Sequence, residues 1–235
     1  MVLRLVVYLT YTVYLLGIEW AAAIIGQRNR RAAWQDAYKW LVVLCWATVV
    51  VETSDQFAIP LHIKAHSLYN IWAYCETGGI VYIQLRLLSR RWAKRLLTAM
   101  LIVLTLGSAA NYIWGPPLND LNPSFQLFTM FIQLITTCAA LIDILVNTSD
   151  TPLSAQPAFW LSAGMLFYCS IFTLIYIAEI FFRSAALVGW YFMACSTVAN
   201  AFMYGGFIAC FVTLKRQTHA GENNVRDLPP VRHGV

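Results

Sequence analysis

Glu76 is an acidic residue near the middle of an otherwise apolar segment, Ser67–Leu88. A carboxylate at bilayer depth is costly unless it is protonated, paired or hydrated, so it is by default a candidate functional group. Burial disfavours the ionised form, and we expect Glu76 to be protonated near neutral pH and able to donate a hydrogen bond. Its chemistry suits a proton or ligand site; the alternative is a hydrogen bond that holds helices together.

The last long apolar segment carries polar residues that could meet Glu76. Counting about 1.5 Å per residue places the middle of that segment at a similar depth. The residues are Ser196, Thr197, Asn200 and Tyr204. They are spaced by about one helical turn, so a polar cluster between the third and seventh segments is plausible, with Asn200 or Tyr204 as the hydrogen-bond partner of Glu76.

The stretch between the second and third apolar segments contains residues with metal-ligand chemistry. They are Glu52, Asp55, His62 and His66. The two carboxylates are three residues apart and share a helix face. The two histidines are four apart, a spacing that can bring both to one metal ion on a helix, and neutral imidazole suits zinc, copper or nickel. A divalent metal site is one hypothesis, and a solvated rim of balanced charges is the other.

The overall composition is that of a chain that lies in lipid. Hydrophobic residues make up 60% of the sequence and charged residues only 11%, against about 25% charged residues in a typical soluble protein. The apolar runs are continuous over about twenty residues, whereas a β-barrel has alternating segments of about ten residues. The sequence therefore predicts an all-α, polytopic membrane protein.

Seven apolar segments have the length of about twenty residues that is needed to cross the hydrocarbon core. They are Leu5–Gly26, Lys39–Phe57, Ser67–Leu88, Leu96–Trp114, Phe125–Val146, Ala158–Phe182 and Ala186–Leu214. Short connections with Pro, Gly and Asn join them and leave no room for a soluble domain between helices. We expect a seven-helix transmembrane domain over residues 1–214 and a disordered cytoplasmic tail over residues 215–235.

Lysine and arginine residues concentrate on one side of this predicted bundle. The first and third connections and the tail hold Arg28, Arg30, Arg31, Lys39, Arg86, Arg90, Arg91, Lys94, Arg95, Lys215, Arg216, Arg226 and Arg232. Positive residues in short loops favour the cytoplasmic side. We therefore expect an outside N-terminus, a cytoplasmic C-terminus and a multi-pass location in the plasma (inner) membrane. The net charge of +5 then reflects topology, and a nucleic-acid partner is not expected.

Several chemistries are disfavoured by missing residues. A retinal protein needs a lysine in the middle of its last helix, and residues 184–214 contain none. A seven-helix zinc hydrolase needs three converging histidines, but His219 and His233 lie in the predicted tail. The catalytic motifs HExxH and GxSxG and the Walker loop are absent from the sequence. We expect no catalytic residue, no retinal and no cofactor other than the hypothetical metal.

Three stretches resemble a known group of proteins. They are Tyr14 with Glu19 in the first segment, Tyr69 with Glu76 in the third, and the run Pro157–Tyr168 that opens the sixth. In these features the chain resembles uncharacterised bacterial seven-helix membrane proteins of similar length, some of which are encoded near sensor histidine kinases. The resemblance implies the seven-helix topology and leaves the function open. Glu19 lies nearer a helix end, where we expect it to anchor the chain at the interface.

From these features we expect a receptor-like or regulatory membrane protein that senses a small molecule or a membrane state and signals to a cytoplasmic partner. Two alternatives stay open: a small-solute or proton-coupled transporter using Glu76, and an intramembrane enzyme acting on lipid. The interior of the bundle discriminates between them. A pocket open to one side favours reception, a continuous polar path to both faces favours transport, and a metal on His62 and His66 favours an enzyme or metal sensor.

Overall fold

The chain folds into a bundle of helices. The computed structural model describes residues 2–33, 37–58, 66–116, 122–147, 152–182 and 185–226. In these ranges the backbone forms eight α-helices and one short 3-10 turn, Leu153–Ala155, without any β-strand. The helices are α1 (Val2–Arg28), α2 (Arg30–Ala33), α3 (Tyr38–Ala58), α4 (His66–Leu87), α5 (Arg91–Trp114), α6 (Pro123–Asn147), α7 (Pro157–Phe182) and α8 (Ala185–Arg226).

Each predicted apolar segment overlaps one long helix, and the single turn α2 lies between the first two. Within the described ranges, four stretches are long and apolar enough to cross a membrane, one in each of the helices α5 to α8. They are Arg91–Trp114, Pro123–Asn147, Pro157–Phe181 and Tyr191–His219. The all-α class and the membrane character predicted from the sequence are therefore confirmed. Helices α1, α3 and α4 also have more than 20 residues, and each of them carries a glutamate.

Side-chain contacts define the directions of the helices. Rings of α7 and α8 pair in opposite chain order, Phe167 with Phe202 at 4.7 Å between centroids and Phe172 with Phe192 at 6.3 Å, so these two helices are antiparallel. Helix α1 packs on α3 and α8, α3 on α4, α4 on α6, α6 on α7 and α7 on α8. These six helices therefore form a closed ring. Helix α5 packs on α4 and α6 and lies outside the ring.

Helices α7 and α8 approach each other most closely at two glycines. A Cβ atom on Gly206 would lie 2.7 Å from the carbonyl oxygen of Trp160 and 2.9 Å from the Cα of Gly164. Small residues allow helix backbones to come together in a membrane, where packing rather than apolar burial drives association. This contact fixes the position of α8 against α7 and with it every side chain that α8 directs into the ring.

Helix α8 continues through Arg226, so residues 215–226 are helical where the polar composition predicts a disordered tail. Gln217 Nε2 donates a hydrogen bond of 2.9 Å to the carbonyl oxygen of Ala155, in the turn that precedes α7. Adding a residue to an existing helix costs much less free energy than nucleating a new helix. The composition of the tail alone does not reveal that a helix precedes it and can be extended. Residues 227–235 lie outside the described ranges.

Asp143 ties together the end of the bundle at which α4 ends and α5 begins, here called the α4–α5 end. Its side chain is 2% exposed. Its two oxygens accept hydrogen bonds from the backbone amides of Ser89 at 2.8 Å and Arg90 at 3.2 Å. A carboxylate that accepts amides just before a helix also complements the positive end of that helix, so Asp143 has a structural role.

Candidate ligand site in an acidic vestibule

Three glutamates from three different helices face the same part of the ring interior. Glu19 lies on the buried stripe of α1 with Leu15 and Ala22 and is itself 2% exposed. Glu52 of α3 and Glu76 of α4 are close enough to Glu19, and to each other, to interact electrostatically. We call Glu19, Glu52 and Glu76 the acidic cluster. Like charges that interact in this way repel one another when ionised.

Glu19 is only partly satisfied by its surroundings. The hydroxyl group of Tyr204, on α8, donates a hydrogen bond to its carboxyl group. The second carboxyl oxygen, Oε2, is buried and has no hydrogen-bond partner among the described residues. An unpartnered buried acceptor costs about 1–3 kcal/mol, and native proteins rarely retain one without a reason. This oxygen is one of several buried acceptors that lack a donor among the described residues, together with Gln84 Oε1 and Glu179 Oε2.

A row of aromatic rings on α7 lies beside the acidic cluster. Tyr168 and Phe172 have ring centroids 4.7 Å apart, and Phe172 and Tyr176 follow at 5.8 Å. Tyr168 is within electrostatic range of Glu76 and Glu52. We call Tyr168, Phe172 and Tyr176 the aromatic row. Ring faces carry partial negative charge, so the row adds to the attraction that this part of the interior exerts on cations.

The burial of the described side chains differs along the ring. The inward stripes of α3, α4 and α7 are fully buried along most of their length, as at Cys45, Ile80 and Met165. Glu52, Glu76, Tyr176 and Glu179, in the half of the bundle at which α3 ends and α4 begins, are half-buried. We call the part of the ring that the acidic cluster and the aromatic row line the acidic vestibule.

Apolar side chains fill the interior at the α4–α5 end. Phe211, on α8, is fully buried, and its ring would lie 2.8 Å from a Cβ atom added to Gly26 on α1. Leu41 and Cys210 are also fully buried there. Within the described residues the polar lining of the vestibule does not continue through this end.

The predicted partners of Glu76 on α8 are placed differently from one another. Tyr204 lies at the acidic cluster, bonded to Glu19 and within electrostatic range of Glu76. Asn200 Nδ2 donates to the carbonyl oxygen of Ser196 at 2.9 Å. The hydroxyl groups of Thr197 and Ser196 donate to the carbonyl oxygen of Met193, at 2.7 and 3.1 Å. These last bonds are internal to α8, and a binding role for all four residues stays a prediction.

The hypothetical metal ligands fall largely outside the described structure. Glu52 is placed, at the acidic cluster, but the side chains of Asp55, His62 and His66 lie outside the described residues. Among the described side chains, no group of three or more His, Cys, Asp or Glu residues could hold a metal ion. The metal site at Glu52, Asp55, His62 and His66 therefore stays a prediction.

A second set of buried polar side chains joins α4, α6 and α7 beside the vestibule. Gln133 Nε2 donates to Thr77 Oγ1 at 2.9 Å, and Cys169 Sγ donates to Gln133 Oε1 at 3.3 Å. Gln84 Nε2 donates to Thr137 Oγ1 at 3.0 Å. All five side chains are at most 1% exposed. We call them the polar layer; uncharged side chains bonded across helices in this way hold helices together.

From the sequence, Glu76 and Tyr204 are candidate site residues, whereas Glu19 is expected at the membrane interface. The structure instead places Glu19 in the interior of the bundle. The signal that could have corrected this is the spacing of Leu15, Glu19, Ala22 and Gly26, since these residues repeat with the helical period. The small residues in that series let α1 pack closely on α3 and α8. A glutamate on such a stripe faces the interior.

The fold and the site together define a class: an all-α membrane protein with an acidic cluster inside a ring of helices. No protein-family model, no curated protein sequence and no solved structure matches this chain.

Proposed function

We propose that the chain is a receptor-like or regulatory protein of the plasma (inner) membrane that senses a small molecule or a membrane state in the acidic vestibule and signals to a cytoplasmic partner. The observation that supports the proposal is the uneven distribution of acidic and apolar side chains along the bundle. Glu76 is half-buried and interacts electrostatically with Glu19 and Glu52, whereas Phe211 and Leu41 are fully buried and fill the opposite end. A vestibule that opens to one side would bind and release a ligand without passing it through the bundle.

The distribution of charge supports the direction of this signal. The last turns of α1 and α4 carry Arg28 and Arg86, and α5 begins with Arg91. These arginines lie at the α4–α5 end, which in a seven-span protein is the cytoplasmic side by the positive-inside rule. The N-terminus is then outside, the C-terminus is cytoplasmic, and the vestibule opens outside. The basic end offers a docking surface for an acidic region of a partner protein.

Helix α8 provides a route from the vestibule to that end. It carries Tyr204, which is bonded to Glu19, and it continues unbroken to Arg226, a distance of about 33 Å at the helical rise. Neutralising Glu19 changes the strength of the hydrogen bond that it accepts, since bonds to an ionised acceptor are the stronger ones. A shift of α8 reaches Gln217 and its bond to Ala155. A ligand acts by favouring one of two positions of this helix.

The test needs no knowledge of the ligand, because Glu19→Gln neutralises the cluster permanently. We expect this substitution to change amide hydrogen exchange across residues 215–226 of the full chain in lipid nanodiscs, and Tyr204→Phe to do the same. Gly205→Ala is the matched control on α8, because a Cβ atom there would meet nothing within 4 Å. Unchanged exchange in both variants would contradict a signalling role for α8.

A proton-coupled transporter using Glu76 is the second candidate, and the arrangement of the acidic cluster favours it. Glu52 lies near the open end, while Glu76 and Glu19 lie further in, so a proton could pass from one to the next. Proteoliposomes with an enclosed pH-sensitive dye separate the two candidates. The receptor predicts equal proton leak with the wild-type chain and Glu76→Gln, and the transporter predicts a leak that the substitution abolishes.

A further inference from the structure

We infer that the outer surface of α3 and α4 binds a phospholipid with an anionic headgroup near the α4–α5 end. The residues that carry the inference are Lys39, Trp40, Tyr82 and Arg86, here called the α3–α4 flank. The two cations hold the phosphate group, and exposed apolar side chains further along both helices contact the acyl chains. The inference takes from the proposed function only that α3 and α4 cross the membrane, and it is independent of the acidic vestibule.

Packing of α3 against α4 brings two exposed aromatic rings together on the outer surface of the ring of helices. Trp40 lies in the first turn of α3, and Tyr82 lies in the last two turns of α4. Their ring centroids are 6.1 Å apart, with the ring planes at 82°. One turn further along, a Cβ atom on Gly79 would lie 3.2 Å from the side chain of Leu44. The two helices are therefore antiparallel, and both rings lie at one level.

The rings mark the level of the lipid headgroups, and apolar side chains continue from them along both helices. Trp and Tyr are enriched at membrane interfaces because their rings have an apolar body and a polar tip. Val43 and Val50 on α3 and Ile71 on α4 are exposed, and they follow Trp40 and Tyr82 at helical spacing. The surface thus changes from polar-tipped rings to apolar side chains in the same order as a phospholipid changes from headgroup to acyl chains.

Two cations lie beside the ring pair. Lys39 Nζ is 5.7 Å from the centre of the Trp40 ring, within the range of a cation–π interaction. Arg86 is exposed and follows Tyr82 by four residues on α4, so the two side chains share a helix face. An arginine can bind two phosphate oxygens at once, and a lysine adds a compact charge. Basic side chains between membrane helices at the cytoplasmic side are typical of binding sites for anionic lipid headgroups.

The surrounding charge selects an anionic headgroup over a zwitterionic one. Residues 28–40 and 86–95 contain nine Lys or Arg residues and one acidic residue, Asp36, whose structure lies outside the described ranges. The acidic side chain described at this end, Asp143, is buried and accepts hydrogen bonds from two backbone amides. This end therefore carries a net positive charge even when Asp36 is counted. A zwitterionic headgroup brings a cation of its own, which this charge repels.

A phospholipid fits the α3–α4 flank better than an acidic protein or a free phosphate ion. Either of these could contact Lys39 and Arg86, but neither would cover Val43, Val50 and Ile71, which lie beyond the rings towards the membrane interior. A phospholipid carries the phosphate and the apolar chains in one molecule. Both parts of the exposed surface are then used by the same partner.

The experiment titrates the full chain in detergent micelles with dioleoyl phosphatidylglycerol or dioleoyl phosphatidylcholine and counts bound lipids by native mass spectrometry. The two lipids have the same acyl chains and differ in headgroup charge. We expect the first phosphatidylglycerol to bind with a Kd at least fivefold lower than that of the first phosphatidylcholine. Lys39→Gln combined with Arg86→Gln should weaken phosphatidylglycerol binding at least fivefold. Trp40→Leu should weaken it more than Trp40→Phe, which keeps a ring.

The matched control removes the same charge elsewhere at this end. Lys215 and Arg216 are exposed on α8, which packs on α1 and α7. Lys215→Gln combined with Arg216→Gln should change phosphatidylglycerol binding by less than twofold. Thermal unfolding shows whether each variant is folded, and Arg86→Gln alone, at an exposed position, should still weaken binding at least twofold.

The inference is overturned if the two double variants weaken binding equally, if both lipids bind wild-type protein equally well, or if Arg86→Gln binds unchanged. It is also overturned if inorganic phosphate or a polyglutamate peptide, at the same concentration as the lipid, displaces bound phosphatidylglycerol. The first of these results would assign the cations to a free anion, and the second would assign them to an acidic protein. Failure of the signalling proposal has a different signature, which is lipid binding as expected with unchanged hydrogen exchange in Glu19→Gln and Tyr204→Phe.

Discussion

The polar layer and the acidic cluster lie side by side in the same bundle and make opposite use of buried polar groups. Thr77 and Glu76 are neighbours in the sequence, yet Thr77 is fully buried and accepts a hydrogen bond from Gln133. Glu76 is half-buried and interacts electrostatically with a second carboxyl group on α3. In the polar layer uncharged groups bond across helices, while in the acidic cluster groups of the same charge face one another.

This difference distinguishes polar side chains that stabilise the fold from polar side chains that serve binding or proton transfer. A network of hydrogen-bonded side chains such as the polar layer rigidifies a core and specifies its packing. A set of like-charged groups offers no such benefit, and residues arranged in this way are usually retained for binding or proton transfer. Substitutions in the polar layer should therefore lower stability and leave binding intact, and substitutions in the acidic cluster should do the reverse.

The largest loss of stability is expected at Gly206, because both regions depend on the packing of α8 against α7. In Gly206→Ala the new methyl group would meet the carbonyl oxygen of Trp160 at 2.7 Å, and a backbone atom cannot rotate away. We expect the free energy of unfolding to fall by about 1–3 kcal/mol, as for other overpacked sites. Chemical unfolding in detergent micelles measures it, with Gly205→Ala as the matched control. Equal stability of the two variants would contradict the close approach of the helices.

Gln133→Leu should have the next largest effect, because it removes the amide that joins α4, α6 and α7. Gln133 bonds to both Thr77 and Cys169, and each interhelical bond in a membrane contributes about 0.6–1.7 kcal/mol. We expect a loss of about 1–3 kcal/mol in the free energy of unfolding and no change in amide hydrogen exchange across residues 215–226. If that exchange changes as much as in Glu19→Gln, the polar layer and the acidic cluster act as one site and the comparison fails.

Thr77→Val and Glu76→Gln form the sharpest pair, since the two residues are adjacent on α4. Thr77→Val keeps the shape but removes the hydrogen bond to Gln133, so we expect a loss of about 0.6–1.7 kcal/mol in the free energy of unfolding. Glu76→Gln keeps a donor and an acceptor and should change stability by less than about 0.5 kcal/mol, as for substitutions away from packed features. Only Glu76→Gln should alter the pH response of amide hydrogen exchange across residues 215–226; an unaltered pH response in that variant would refute the functional role of Glu76.

The smallest effect is expected for Tyr204→Phe, which removes one hydroxyl group. The lost hydrogen bond to Glu19 contributes about 0.6 kcal/mol on average in a membrane. The ring and its contact with Phe207 stay, so thermal unfolding should shift only slightly. Hydrogen exchange across residues 215–226 should nevertheless change. A large loss of stability without any change in hydrogen exchange would show that Tyr204, like the side chains of the polar layer, has a structural role.

The sequence predicted the helices well because long apolar runs have one stable form in lipid, and each such run overlaps a helix. It also made Glu76 a candidate site residue, because a charged residue in a uniform apolar run is visible by inspection. It could not show that Glu19 joins the same cluster, since depth along one helix does not reveal which face packs inward. The apolar packing of the α4–α5 end was equally hidden, because the burial of Phe211 depends on its contact with Gly26, far away in the sequence.

The most direct test of the one-sided vestibule is the chemical accessibility of position 76. Glu76→Cys is made in a background in which the six native cysteines are replaced, and a membrane-impermeant cationic methanethiosulfonate reagent is added to one side of the membrane at a time. The account predicts labelling from outside, no labelling from the cytoplasmic side, and no labelling of Thr77→Cys from either side. Labelling of Glu76→Cys from the cytoplasm, or from neither side, would contradict it.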